Sequence, residues 1–455
     1  MATRPLEGIR ILDSTYVIAM PYACGIMTDL GAEVIKIEGI QHPDRSGQGA
    51  MPDNDGGNDP FNRGLPLNLI NRGKRSLTLD LSREEGRTAF KELVKVTDIV
   101  VENYTPRVMR RWEMDYPNLK KIKPDLIMVS NTGYGHSEGP YAQYPGQATT
   151  LEATHGHPWI TGYLNDIPSK AGASYVDFLS TWSGLFAIAS ALRYRNRTGK
   201  GQWIDLGMYQ IGCYCTGEYI LDYLANERLN GRVGNRHPWR APQGCYPCSG
   251  GDKWCTLSVG DDTEWQALCK TMGKPELVHD PRFTLPSDRS RNHDALDHII
   301  SAWSRTLDKY EMMELLQSAG VPSGAVFDTK DANLSPHYWA HGFLEKVTWP
   351  PERGSMGTRA LMGRPWKLSK TPLRIVEGVH TLGQDNQYAL QGLVGYDDAY
   401  MAQLEQTKII GTRPTVAGRR DNAPPPPPRP AGTPTPRTGN AEVAIDPDYK
   451  KLIGI

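Results

Sequence analysis

The chain has 455 residues, 39% of them hydrophobic and 22% charged, which fits a soluble globular protein too long for one core, so two domains are expected. Its formal net charge of +0 offers no electrostatic case for nucleic acid or an anionic membrane, and no uninterrupted apolar run reaches the length of a membrane span. The first ten residues, MATRPLEGIR, are charged and lack an apolar signal core, so a cytoplasmic location is expected, and the seven Cys read as free thiols.

Leu6 to Asp13 ends in a short apolar strand, Pro21 to Leu30 reads as a helix closed by Gly31, and Glu33 to Ile37 is a second strand. This is a βαβ unit, which implies parallel strands and a right-handed crossover. No G-x-G-x-x-G accompanies it, which disfavours NAD or FAD. Residues 39–66 form a long polar loop. Asp53 to Asp59 within it faintly suggests a calcium loop, but its Gly falls early and no Glu closes it, so no metal is expected.

Asn71 to Leu81 is a basic turn followed by a strand, and Ser82 to Val94 is an amphipathic helix opened by a capping box of Ser82 and Glu85. Asp98 to Glu102 and Leu126 to Ser130 are buried strands. Polar loops follow both, at the carboxyl ends where open α/β sheets bind ligands. A lysine, two arginines and a Gly-rich loop at such ends suit a phosphate-bearing ligand.

Gly172 to Gln210 organises the rest. Phe178 to Arg195 reads as a buried helix with Asp177 immediately before it, Thr198 to Gly201 as its stop, and Gln202 to Met208 as the next strand. Asp177 has two readings. It is an N-cap that accepts from first-turn N–H groups, or a nucleophile that the helix dipole keeps ionised and aimed at a carbonyl.

Ala241 to Val259 alternates like an antiparallel hairpin turning at Ser249 to Asp252, and Asp262 to Met272, Asn292 to Ser304 and Asp308 to Ser318 read as helices. Cys245 and Cys248 form a lone C-x-x-C, read as structural thiols. The expected division is 1–218 for the N-terminal part of a large α/β domain, 219–331 for a small α+β domain, 332–412 for a return to the large domain, and 413–455 for a Pro-rich extension.

PLEGIRILD at the start, GAEVIKIE at 31–38, NRGKRSLTLDL at 71–81, DIVVENYTP at 98–106, TGYGHSEGPYA at 132–142, YVDF with ALRYRNRTGKGQWIDLGMYQ within 175–210, and AGVPSGAV at 319–326 together carry a resemblance. The chain resembles the class III coenzyme A-transferases, the family of formyl-CoA and carnitine CoA-transferases. The resemblance spans roughly residues 5 to 390 and leaves the Pro-rich tail outside. It implies an α/β fold with a Rossmann-like large domain, a parallel sheet, a smaller α+β domain, and two subunits interlocked as rings.

By the same resemblance, the catalytic aspartate matches Asp177. Its carboxylate would attack a donor acyl-CoA; an aspartyl anhydride and an aspartyl-CoA thioester follow, and the acceptor acid ends as its CoA ester. Positions expected to contact coenzyme A are Val17, Ile18, Lys74, Asn103, Tyr104, Arg111, Trp112, Gly133 and Tyr134. Lys74 and Arg111 suit phosphate, and Tyr104 and Trp112 suit adenine or the pantetheine arm.

Some residues depart from the family pattern. Ile18 stands where formyl-CoA transferases carry Gln, and Gly39 where they carry a basic residue. Gly234 to Pro242 replaces their glycine run, which argues against formyl or oxalate. Arg236, His237 and Arg240 in that segment suit a second carboxylate, so succinyl-CoA as donor and a dicarboxylate such as malate as acceptor are expected. Two alternatives remain. An α-methylacyl-CoA racemase needs a His where Gln147 stands, and Gln cannot exchange protons. A non-catalytic subunit of a hetero-oligomer would keep Asp177 only as a cap. Partners are therefore an acyl-CoA, a small carboxylic acid and a second copy or related chain, with no nucleic acid and no membrane.

Overall fold

Six strands pair in parallel in the order β3-β2-β1-β4-β5-β6. They are β1 (Arg10–Asp13), β2 (Glu33–Glu38), β3 (Arg75–Thr78), β4 (Ile99–Glu102), β5 (Ile127–Thr132) and β6 (Trp203–Gly207). The computed structural model describes residues 4–136, 139–172, 174–350, 356–415 and 446–455. The run of five prolines from Pro424 lies outside them.

Strands β1 to β5 are buried on both faces, so their side chains alternate between two cores, while β6 at the edge is partly exposed. Ile11, Val34, Ile99, Val101, Ile127 and Val129 point to one, where the first helix (Ala19–Asp29) and the long helix Tyr175–Thr198 bring Met20, Ala23, Met27, Ile188 and Ala191. Leu12, Ile35, Val100 and Met128 point to the other, against Phe90, Leu93, Met109, Leu119, Leu390 and Leu404.

The free edge of β3 is covered by residues more than three hundred positions later. Asp385 Oδ2 accepts the Ser76 N–H at 2.8 Å, and Asn386 Oδ1 accepts the Thr78 N–H at 2.8 Å. An exposed ladder edge is thereby closed.

Contacts divide the chain into one unit of residues 1–155, 172–217 and 333–455 and a second of residues 156–171 and 218–332. The second unit holds an antiparallel sheet of β7 (Gln243–Pro247), β8 (Trp254–Ser258) and β9 (Ser323–Ala325), packed against helices Asp262–Thr271, His293–Ser304 and Lys309–Ser318. Residues 156–171, which the sequence division leaves in the large domain, fold with the second unit. Trp159 Nε1 donates to Asn230 O at 2.8 Å, and the Arg232 guanidinium donates back to Trp159 O at 3.1 Å.

Two local expectations are corrected. Asp177 does not precede its helix: the helix starts at Tyr175, the N-cap position is Ser174 at φ 51°, and Asp177 stands in the first turn. Ser82 and Glu85 form no capping box, because Ser82 gives its N–H and hydroxyl to Asp80 Oδ1 at 3.0 and 2.6 Å and leaves Arg83 at the N-cap. By length and composition the helix Tyr175–Thr198 is apolar enough to cross a membrane, although polar residues interrupt its apolar run. Its Val176, Ser180, Thr181, Gly184, Ile188, Ala191 and Leu192 are buried, and Ile188, Ala191 and Leu192 pack with the sheet and the first helix. All seven cysteines are free thiols.

Candidate active site

In this strand order the sheet grows one way from β1 to β3 and the other way from β4 to β6, and open α/β sheets bind ligands at the mouth formed by the carboxyl ends at such a switch point. The two strand ends are tied together there. Asn103, just after β4, accepts the Tyr16 N–H at 3.1 Å and donates to Tyr16 O at 2.9 Å. Tyr104 stacks edge-on to Trp112 at 5.3 Å and to Tyr16 at 6.2 Å. Val17, Ile18, Asn103, Tyr104 and Trp112 thus gather at this mouth, with Arg111 exposed at the end of the helix Pro106–Arg111.

The loop after β5 forms the next wall. A Cβ on Gly133 would lie 2.9 Å from Gly146 Cα, so only glycine lets these two loops touch. Tyr134 packs against Tyr141 and Tyr209 at 5.7 and 5.6 Å between ring centroids. Gln147 caps the helix Ala148–Thr154 in a reciprocal capping box with Thr150.

The long helix brings Asp177 to the same end of the sheet. Val176, its neighbour, is buried in one cluster with Ala19, Ala148, Leu151 and Met208, and Tyr134 packs on that cluster. Thr181, one turn on, donates to Ala19 O at 2.7 Å and to Asp177 O at 3.0 Å. Asp177 is half-buried, in a first turn whose dipole favours a carboxylate.

Lys74 is elsewhere. It is fully buried and donates to Asp13 Oδ2 and Asn71 Oδ1, each at 2.7 Å. Burial pushes its ammonium down while Asp13 pulls it back up. A phosphate contact at Lys74 would have to draw it away from Asp13, leaving a buried carboxylate without its ion partner.

Arg236, His237 and Arg240 all lie in the second unit. The Arg236 guanidinium already meets Asp294 at 2.6 Å and Asp297 at 2.7 Å, so its charge is balanced within that unit. His237 stacks edge-on to Trp239 at 4.9 Å, and Arg240 lies against Gly260. Arg236 lines a groove of about 510 Å³ with Gln243, Thr256, Ser258 and Ser323.

Two buried groups escaped the sequence reading. Glu102 Oε2 accepts the Tyr104 N–H at 2.8 Å, and its other oxygen lies 3.5 Å from His136 Nε2. Burial raises the Glu102 carboxyl to about 7 and lowers the His136 imidazole, so the proton of the pair favours the carboxyl. Lys36 and Asp44 form the other, a buried ion pair at 3.0 Å. The available signal is a charge inside a strand buried on both faces: Lys36 between Ile35 and Ile37, Glu102 after Val101.

Residues 6–386 match the model of CoA-transferase family III. The chain belongs to this family. As a family III CoA-transferase it is an enzyme whose class handles coenzyme A as a substrate. It is 31% identical over 90% of its length to a succinyl-CoA–D-citramalate CoA-transferase of Chloroflexus aurantiacus, 98% of which is covered. It is 35% identical over 75% of its length to an acetyl-CoA:oxalate CoA-transferase of Acetobacter aceti, 86% of which is covered. A CaiB/BaiF family protein from Brucella suis superposes with a TM-score of 0.77 at 29% identity, covering 86% of this chain and 100% of that one. The α/β fold with its six-strand parallel sheet is the fold of that family.

Proposed function

We propose that this family III CoA-transferase moves coenzyme A from succinyl-CoA to a free dicarboxylate such as malate, with Asp177 as nucleophile. The observation that carries the reading is the meeting of the Asp177 helix start, the β1 turn and the Tyr134 loop in one buried cluster at the carboxyl end of the sheet. The succinyl-CoA–D-citramalate relative supports the donor and the acceptor class; the oxalate relative makes oxalate the competing acceptor.

The Asp177 carboxylate adds to the thioester carbonyl, the C–S bond breaks, and the electron pair leaves as CoA thiolate. The thiolate then attacks the aspartyl carbonyl of the mixed anhydride and releases succinate, which leaves an aspartyl thioester. The acceptor carboxylate displaces the thiolate in turn. Attack of that thiolate on the acceptor carbonyl yields the new acyl-CoA and restores Asp177. Each intermediate stays activated, so water must be kept out and the developing oxyanion must find donors. Tyr104 and Trp112 suit the apolar arm of coenzyme A, and Arg111 its phosphates.

For assembly, two copies or one copy with a related chain is the proposed state. Leu221 and Leu224, on a helix with no buried residue, are 66% and 72% exposed. Light scattering of the purified chain tests it.

The test of the chemistry is a peptide mass map after brief incubation with succinyl-CoA and a hydroxylamine quench. A hydroxamate or CoA-sized adduct on the Asp177 peptide is expected. An unmodified Asp177 peptide across succinyl-, acetyl- and oxalyl-CoA overturns the reading.

A further inference from the structure

Between β1 and the first helix the chain makes a turn, Thr15 to Val17, whose described backbone bonds all go to side chains. Asp13 Oδ1 accepts the Thr15 N–H at 3.0 Å, and Lys36 Nζ donates to Thr15 O at 3.0 Å. Asn103 takes both the N–H and the carbonyl of Tyr16. Asp44 accepts the Val17 N–H with both oxygens, each at 3.3 Å. Four side chains, from β1, β2, the end of β4 and the 39–66 loop, therefore grip three residues.

What they hold is an unfavourable conformation. Val17 sits at φ 72°, the left-handed region, where a β-branched side chain is a true outlier. Its side chain does not explain the choice, because Val17 is 45% exposed. Such strain persists only where the surroundings over-determine it, and it gathers at sites whose geometry matters.

Asp44 is built for the task. It is buried at 3% exposure, and its Oδ1 also accepts the Ser46 N–H and hydroxyl at 2.9 and 2.8 Å. Its Oδ2 accepts Lys36 Nζ at 3.0 Å, and its own N–H donates to Glu38 Oε1 at 3.0 Å. Burial alone would raise this carboxyl, yet Lys36 and Ser46 bring it below the usual carboxylate range, so it stays an acceptor.

We propose that Asp44 is a positioning residue: carried by the 39–66 loop and oriented by Lys36, it holds Val17 left-handed and so sets the Val17–Ile18 segment against the acyl-CoA. The inference rests on the CoA-transferase reading and deepens it. Asp44 acts through the Val17 backbone and does not itself meet the substrate.

The test is a double-mutant cycle of Asp44→Asn and Val17→Gly, with two readouts: CoA affinity by calorimetry, and the single-turnover rate of hydroxylamine capture at Asp177 with succinyl-CoA. Asparagine keeps the shape but loses the double acceptor, so Asp44→Asn is expected to weaken both readouts about tenfold. Glycine adopts φ > 0 without strain, so Val17→Gly in the Asp44→Asn chain is expected to restore most of the loss. A purely structural Asp44 would lower the melting temperature, and Val17→Gly would rescue neither readout; that result overturns the proposal. Wild-type activity in the Asp44→Asn chain overturns it too. If Asp44→Asn does not fold, Ser46→Ala, which removes one bond orienting the carboxylate, carries the same comparison with a loss of about threefold. Should the wild-type chain form no Asp177 adduct and bind no CoA, the transferase reading fails on its own. A crystal structure of Asp44→Asn then decides the positioning role: Val17 leaving φ > 0 supports it, and Val17 staying there overturns it.

Discussion

Lys36, within β2, and Lys74, just before β3, are 1% and 0% exposed, while Arg236 in the second unit keeps a third of its side chain in solvent. The buried pair serves the main chain. Lys36 holds the Thr15 carbonyl and the carboxylate that holds Val17, and Lys74 holds Asp13, which in turn holds Thr15. Arg236 only balances Asp294 and Asp297. Lys74 and Arg236, which look alike in the sequence as ligand-binding cations, thus divide by burial: the buried one joins Lys36 in holding the main chain, and the partly exposed one neutralises its own unit.

The sharpest way to break this contrast is at the residue it supports. Asp177→Ala is expected to lower CoA transfer at least about a thousandfold, the scale of losing a covalent nucleophile, with little change in melting temperature. Steady-state rates with succinyl-CoA check it, and retention of a tenth of the activity would place the chemistry elsewhere. Lys74→Met comes next. It strands Asp13 without its partner and should cost roughly 3–5 kcal/mol of stability in urea titrations. A loss of CoA affinity at unchanged stability would instead return Lys74 to the phosphate-binding role.

Glu102 gives a pH signature. Its folded carboxyl, at about 7, holds a proton that the unfolded chain, near 4.5, has already lost. Its contribution to stability is therefore full below about pH 4.5, falls as pH rises toward 7, and is gone above it. Glu102→Gln mimics the protonated form, so its advantage over wild type should grow from about zero at pH 4.5 to at most roughly 3 kcal/mol at pH 8. Paired melts across that range measure it, and a pH-independent difference would contradict the assignment. The smallest effect belongs to Arg236→Gln. An ion pair with partly exposed partners contributes about 0–1 kcal/mol, and activity should change less than twofold. A large rise in KM for the acceptor acid alone would make Arg236 a substrate group after all.

The fold was largely readable because its periods are strong. EVIKI, DIVVE and LIMVS announce doubly buried strands, and Gly199 closes the long helix in the left-handed C-cap that its position suggests. Start signals fared worse. Asp177 resembled an N-cap because an apolar run follows it, yet the helix begins two residues earlier at Tyr175, with Val176 packed on Ala19 and Ala148. Ser82 had a capping-box partner at the right spacing, but Asp80 claimed its hydroxyl first. The clamp on Val17 was illegible, because Asp44 sits 27 positions away in a loop without periodicity. Nothing local marks its carboxylate as the partner of that N–H.

The cover on β3 has a consequence in time. Ser76 leaves the ribosome 309 residues before Asp385, the residue that closes its N–H. At about 5–20 residues per second, translation leaves that sheet edge bare for on the order of 15–60 s. Through that interval the nascent chain offers an open strand to any neighbour on the same message. Synthesis of Asp385, about six-sevenths of the way along the chain and well after the residues of the active site are made, is what ends its exposure to aggregation.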